Sequence, residues 1–390
     1  MRKVVTIGDL GEVITGKTPP KSNKNFYGDY AVFIKPTDIS EDHKYTYETE
    51  EMYSQLAAEQ YKSSLVPKGA ICVPCIGTIG TKMTMTHCAC YTNQSINSIV
   101  CNDNYDNEYV YYLIKNFLPG LKAYNLGTAS GREYVSKSNF ELIEIEVEQD
   151  KETQHRIATI LSRYDSLIEN YQKQIKLLEE AAQRLYKEWF IDLHFPGHEN
   201  TNIIDGVPEG WEKKKLIDLV NVQYGYAFDG HLFNSKGEGT PIVRIRNIPD
   251  GYTNDYTTEE ANESYIVNDG DLLIGMDGIF HINTWCGGKA YLVQRACSFR
   301  PKDVSMKGFI LQAIFEPIKF FENTVVGATV AHLGKKHIDS IELLVSNNDK
   351  MYKPFEKMFN ERQTLKSQLR LLTEARDRLL PKLMNCEINV

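Results

Sequence analysis

The chain has 390 residues, 42% of them apolar and 25% charged, an ordinary globular composition with length enough for two domains that each bury a core. Lys and Arg number 44 against 52 Asp and Glu, and the net charge of −8 argues against a protein that tracks phosphates by bulk positive charge, although a whole-chain total hides where the charges sit. No run of about 18 apolar residues occurs, which excludes a membrane-spanning helix.

The first residues, Met1-Arg2-Lys3-Val4-Val5, break at once into Thr6, Gly8 and Asp9, so they do not read as a secretion signal. Eight scattered cysteines then read as reduced thiols of a cytoplasmic protein. Next, Gly11-Glu12-Val13-Ile14-Thr15-Gly16-Lys17-Thr18 satisfies the phosphate-loop pattern G-x-x-x-x-G-K-[ST]. That pattern cradles phosphate only when a helix starts at the lysine and aims its first N–H groups at the ligand. Pro19 and Pro20 follow immediately and disfavour such a helix. No apolar strand ending in Asp follows to hold magnesium. The stretch reads as a basic turn, with a P-loop nucleotide hydrolase as the alternative.

Short β-branched and aromatic runs at 70–76 and 95–101 read as strands, and 108–117 as a helix. Cys72, Cys75, Cys88 and Cys90 have a spacing that can hold zinc. An internal repeat, described next, aligns Cys72 and Cys75 with Leu273 and Met276, so small buried hydrophobes suffice there.

From 157 to 189 the apolar positions are Ile157, Leu161, Tyr164, Ile168, Tyr171, Ile175, Leu178, Ala182, Leu185 and Trp189. Their spacing alternates four and three without a break, the seam of a coiled coil rather than a general amphipathic face. Phe195-Pro196-Gly197, then Gly206, Pro208 and Gly210, break the chain after this helix. His194 and His198 flank that turn and do not share a helical face. Beyond it, 271–275 and 291–294 read as strands and 307–316 as a helix. The closing segment repeats the seam at a constant offset of 194: Met351, Phe355, Met358, Arg362, Leu365, Leu369, Leu372, Arg376, Leu379 and Leu383, with only the two arginines polar.

The rest of the chain repeats as well. Residues 66–80 lie on 267–281, 33–39 on 241–248, and 143–147 on 341–345. The last pair follow loops holding Gly-Thr-Ala and Gly-Ala-Thr. The predicted organisation is globular 1–150, helix 151–195, globular 196–349 and helix 350–390. The predicted fold is α+β: two similar α/β domains with mainly antiparallel sheets, separated by two long helices that pair as an antiparallel coiled coil with pseudo-two-fold symmetry. The charge divides as −5, 0, −7 and +4 over those four segments.

Two related domains on a helical spacer suit a DNA reader. Thirty-three residues from Ile157 to Trp189 span roughly 50 Å at about 1.5 Å each, and B-DNA turns once in about 34–36 Å. Candidate contacts lie in loops. The first globule offers Lys17, Lys21, Lys24, Lys35, Lys82, Arg132 and Lys137, with Asn93 and Gln94 suited to adenine edges. The second offers Tyr224, Arg244, Arg246, Asn247, Lys289, Arg295, Lys335 and Lys336. No carboxylate pair and no Ser/His or Cys/His constellation stands out, and the Asn/Asp-Pro-Pro-aromatic loop of DNA methyl transfer is absent. The chain reads as non-catalytic, with no metal or cofactor of its own.

The run Glu152-Thr153-Gln154-His155-Arg156-Ile157-Ala158-Thr159-Ile160-Leu161, with Asp165, Ile168 and Leu178-Glu179, resembles the helical region of type I restriction–modification specificity subunits. So do Leu185-Tyr186-Lys187-Glu188-Trp189-Phe190 and the Phe195-Pro196-Gly197-His198-Glu199 that follows. Val207-Pro208-Glu209-Gly210-Trp211 is similar to that family's entry to its second target-recognition domain. Gly16-Lys17-Thr18-Pro19 and Ile76-Gly77-Thr78-Ile79-Gly80 also have counterparts. The resemblance spans essentially the whole chain. It implies two target-recognition domains, each reading one half of a split, asymmetric site on double-stranded DNA, and helices that set the gap and dock two modification subunits. By the same resemblance those partners carry S-adenosylmethionine and methylate adenine N6, while restriction subunits use ATP and Mg to translocate and cleave. The second helix departs from the family in its start, Met351-Tyr352-Lys353-Pro354-Phe355. A coiled-coil adaptor without DNA contact is the remaining alternative.

Overall fold

Each apolar stripe in this sequence finds a sheet to cover. In the computed structural model, which describes residues 2–127, 131–324, 331–388 and 390, the chain divides into two units, Met1–Glu169 with Leu372–Val390, and Asn170–Leu371.

In the first unit, strand Arg2–Thr6 pairs antiparallel with Glu144–Glu148. Thr6 then caps a single helical turn: its hydroxyl accepts from the Asp9 N–H while the Asp9 carboxylate accepts from the Thr6 N–H. A four-stranded antiparallel sheet follows in the order Gly11–Thr15, Ile96–Cys101, Ile71–Pro74, Thr84–Met85. A second sheet joins Tyr27–Gly28, Met52–Tyr53, Ala31–Ile34 and Tyr91–Thr92, the last pair parallel. Helix Asn107–Phe117, capped by Asp106, buries Tyr109 to Ile114 against the first sheet.

The second unit repeats this order with one strand, Ile266–Val267, added. Trp211–Lys215 pairs with Glu342–Ser346. Val220–Tyr224, Ala296–Pro301, Leu272–Gly275 and Ile282–Thr284 form the four-stranded sheet. Phe233–Asn234, Tyr256–Thr257, Thr240–Val243, Ala290–Leu292 and Ile266–Val267 form the other. Thr240–Val243 with Ala290–Leu292 is again the parallel pair. The predicted helix at 307–316 is two helices, Lys307–Ala313 and Phe315–Thr324, the first ending where Ile314 caps it. Of the two loops compared in the repeat, Thr128-Ala129 and Gly327-Ala328-Thr329 lie outside the described residues.

The long helices are Lys151–Tyr186, extended by a wider turn over Lys187–Ile191, and Lys353–Met384. The second begins after the short turn Asp349–Met351, and Pro354 sits in its first turn, where a missing N–H costs nothing. Compactness does not separate these helices from the globules. Ile157, Ala158, Leu161, Leu380, Leu383 and Met384 join the core of the first unit. Phe190, Met351, Tyr352 and Phe355 join that of the second, where the Phe190 ring lies 4.7 Å from Phe309 and 4.8 Å from Trp211. An amphipathic helix is stabilised chiefly by the sheet its stripe covers, so each end of each helix belongs to a globule.

The helices run antiparallel. In the first unit Arg376 donates to Asp165 at 2.8 Å, and the Tyr112 hydroxyl donates to the same carboxylate at 2.6 Å. In the second unit Arg362 donates to Glu179 at 2.6 Å. Fourteen residues later on one helix, the partner stands fourteen residues earlier on the other. Every predicted seam position is buried or half-buried. Arg362 also donates to Thr284 and Asn283, tying the helix to strand Ile282–Thr284.

Candidate nucleic-acid interface

In the second unit, strand Thr240–Val243 ends in the tight turn Ile245–Asn247. Asn247 turns inward: its Oδ1 accepts from the Arg244 N–H at 2.9 Å and its Nδ2 donates to Asp255. The turn therefore displays Arg244 and Arg246. Arg244 lies over the Phe233 ring, 5.4 Å from its centroid. Arg246 is held through two nitrogens by Asp255, Nε at 3.1 Å and Nη2 at 2.6 Å. Burial alone would raise the Asp255 carboxyl, but the Arg246 and Asn247 donors outweigh it and hold it below the usual range.

Gln294 and Arg295 form the turn between Ala290–Leu292 and Ala296–Pro301, with Arg295 in the left-handed region at φ 72°. Its Nη1 donates to Asp277 at 2.8 Å, and the other oxygen of Asp277 meets His332 Nδ1 at 2.5 Å. A cleft of about 650 Å³ is lined by Arg244, Arg246, Asp277, His281, Gln294 and Arg295, with Phe228, Phe233 and Ile279 as its apolar wall. Three of the arginines and asparagines predicted from sequence thus meet at one cleft, while Asn247 serves the turn beneath it. Tyr224 packs against the core, where burial pushes its hydroxyl up to about 12. Lys289, Lys335 and Lys336 are exposed and are not among the described lining residues.

In the first unit, the Gly16–Pro20 stretch crosses the turn before Ile96–Cys101. A Cβ on Gly16 would lie 2.1 Å from the Thr92 carbonyl oxygen, so only glycine fits. Gly225 stands 2.1 Å from Val293 in the same sense. Asn93 Nδ2 donates to Thr18 Oγ1 at 2.9 Å, and its Oδ1 accepts from the Ser95 N–H. Asn93 is therefore engaged, whereas Gln94, Lys17, Lys21 and Lys24 project from this neighbourhood exposed. Lys35 is tied to Glu50 at 2.5 Å and Glu51 at 3.2 Å. Burial would lower its ammonium, but the two carboxylates more than compensate and raise it. Lys82 is half-buried, Arg132 is exposed ahead of strand Glu133–Tyr134, and Lys137 lies 3.6 Å from Glu141.

The other chemistries do not assemble. Gly11–Thr15 is a strand and Gly16–Pro20 is irregular, so no helix begins at Lys17 to receive phosphate. Cys72, Cys75 and Cys90 are buried, and burial pushes the Cys72 and Cys75 thiols up to about 12. Among the described residues no three His, Cys, Asp or Glu side chains are grouped to hold a metal ion, and no helix is long and apolar enough to cross a membrane.

The sequence matches the family described as Type I restriction modification DNA specificity domain, in two stretches, residues 2–180 and 208–366. The chain belongs to this family. Its role is that of the DNA-recognition subunit of a type I restriction–modification system. The MjaIX specificity subunit of a type I restriction enzyme from Methanocaldococcus jannaschii is 27% identical over 415 residues, 99% of this chain and 93% of that protein. The HindI specificity subunit from Haemophilus influenzae is 39% identical over 142 residues, 36% of this chain and 30% of its own length. The crystal structure of a type I S subunit from M. genitalium shares the fold, with a TM-score of 0.61 at 18% identity over 98% of this chain and 96% of that one.

For a specificity subunit, the carboxylates behind the arginines are the residues that sequence reading missed. Asp255 stands nine residues from Arg246, and Asp277 eighteen from Arg295, separations that only the folded turns close. Gln294 was missed too: only the strand pairings on either side of its turn set it opposite Gln94.

Proposed function

We propose that residues 1–150 and 196–349 each read one half of a bipartite, asymmetric site on double-stranded DNA, and that the helices in 151–195 and 350–390 set the gap and dock two modification subunits. The observation that carries this reading is the duplication itself: two units share one strand order in their four-stranded sheets, yet display different side chains at equivalent turns, Gln94-Ser95 in one and Gln294-Arg295 in the other. Such a pair suits two different half-sites. The chain acts without catalysis and without a cofactor of its own. S-adenosylmethionine, with adenine-N6 methylation, belongs to the modification partners, and ATP, Mg and cleavage to the restriction subunits, all in the cytoplasm.

Footprinting tests it. The chain assembled with its modification subunits is expected to protect two short sequences separated by a fixed gap. The isolated chain, at net charge −8, is expected to bind the same duplex weakly, because few phosphates are neutralised without the partners. An assembled complex with no preference for any split sequence overturns the reading.

A further inference from the structure

Arg246 and Arg295 are the two most exposed arginines of the cleft, with side chains 61% and 60% accessible, while Asp255 and Asp277 behind them are only 18% and 24% accessible. Asp255 takes the Nε–Nη2 edge of Arg246, which leaves the Nη1–Nη2 edge open. Asp277 takes Nη1 of Arg295, which leaves the Nε–Nη2 edge open. Each guanidinium thus keeps one pair of parallel N–H donors with its direction fixed from behind. A carboxylate-paired arginine gains less from a phosphate than a free lysine does, since its charge is largely cancelled. What it retains is a directed fork, and among base edges the fork matches guanine, whose O6 and N7 both accept in the major groove. Arg295 holds a left-handed backbone that a β-substituted residue adopts at a cost, the kind of strain found where a side chain must be aimed.

We propose that the cleft of the second unit is a guanine-reading site, in which Arg246 and Arg295, each aimed by a carboxylate, donate paired N–H groups to guanine O6 and N7 in the major groove. Asp255 and Asp277 are positioning residues. This rests on the DNA-reading role of residues 196–349.

The test uses the chain assembled with its modification subunits. The half-site read by the second unit is the one that changes when 196–349 is exchanged for that of another family member. Duplexes carrying 7-deazaguanine there keep their base pairing but lose N7. Because O6 remains, binding is expected to fall at a contacted guanine by part of the roughly 5- to 150-fold that a full O6/N7 pair supplies. Arg246→Ala and Arg295→Ala, which remove both hydrogen bonds, should lose more than that on normal DNA, and exchanging the matching guanine for 7-deazaguanine should then cost the variant nothing further. Arg246→Lys, which keeps the charge without the fork, should lose guanine preference too. Asp255→Asn and Asp277→Asn should weaken cognate binding while strengthening binding to random duplex, opposite signs that a merely structural defect does not produce. A second half-site without guanine, indifference to 7-deazaguanine, or arginine variants that weaken cognate and random DNA equally each overturn the guanine assignment and leave DNA reading intact. A wild-type complex with no split-site preference fails at the earlier step, the DNA-reading role itself.

Discussion

Lys366 sits on the second long helix with its Nζ donating to Asn283 Oδ1 at 2.8 Å and to the Thr284 carbonyl at 2.7 Å, both neutral acceptors. Burial, then repulsion from Arg362, pushes its ammonium down to about 7, while Cys286 and Glu179 pull only weakly the other way. A base whose folded pKa is depressed costs stability in full below that pKa. The cost is relieved as pH rises from about 7 towards the unfolded lysine value, because across that window the unfolded chain binds the extra proton. Buried thiols act in the opposite sense: burial raises Cys286 and Cys297 in this unit, so stability falls once an unfolded thiol ionises, above about pH 8.5. Thermal unfolding between about pH 6 and 8.5 therefore separates the two. Lys366→Met should gain most over the parent at the acid end, and the gain should shrink as pH rises. A difference in Tm that stays constant across the window refutes the depressed lysine. Nothing in the sequence marks Lys366, since a lysine beside a seam leucine ordinarily snorkels to water; only strand Ile282–Thr284 packed over the helix closes it in.

The long helices carry two polar crossings, and the repeat shows what the buried one replaces. Asp165 and Arg376, both 8% accessible at the side chain, correspond through the 194-residue offset to Phe359 and Ala182, which line one small void in the second unit. The same helical register thus tolerates either a charged or an apolar pair. Removing Asp165 alone is different, because the buried Nη1 of Arg376 and the Tyr112 hydroxyl lose their acceptor and Arg376 keeps only the exposed Asp377 carboxylate: Asp165→Ala should cost about 3 kcal/mol in chemical denaturation. Replacing the set together, Asp165→Leu with Arg376→Met and Tyr112→Phe, should restore most of that loss, since nothing polar is left unpaired. Equal losses in the single and combined variants would show that packing rather than charge pairing governs the crossing. These helices were the most legible part of the sequence, because an alternation of four and three over ten positions leaves a helix one face to bury. The two seam arginines could be placed but not explained, as an antiparallel partner is fixed by the other helix and cannot be read from one. The duplicated strands were legible because similar apolar runs between glycine turns recur in the same order, although their offset varies from 198 to about 208. The second sheet of each unit, built from strands of two to four residues such as Tyr27–Gly28 and Met52–Tyr53, was not, since such short pairs carry no periodicity.

At the scale of the whole molecule, the acidity that first argued against DNA has a structural use. Residues 196–349 carry −7, yet Asp255 and Asp277 in that stretch hold arginines in place, exchanging bulk attraction for direction. On the proposed reading, affinity comes from assembly and spacing from the helices. The gap is best tested by shortening both helices in step, because removing residues from one alone breaks their register. Deleting 168–174 together with 367–373 retains Asp165–Arg376, Glu179–Arg362 and Lys366 with its acceptors, and preserves the antiparallel phase in both helices. Seven residues shorten each helix by about 10 Å, the rise of about three base pairs at about 3.4 Å each. The assembled complex should then prefer a gap shortened by about that amount, or lose split-site binding if the shifted phase around the duplex cannot be met. In either case each half-site sequence should be unchanged when offered alone at high concentration. An unchanged gap preference in footprinting would separate spacing from helix length and overturn the ruler.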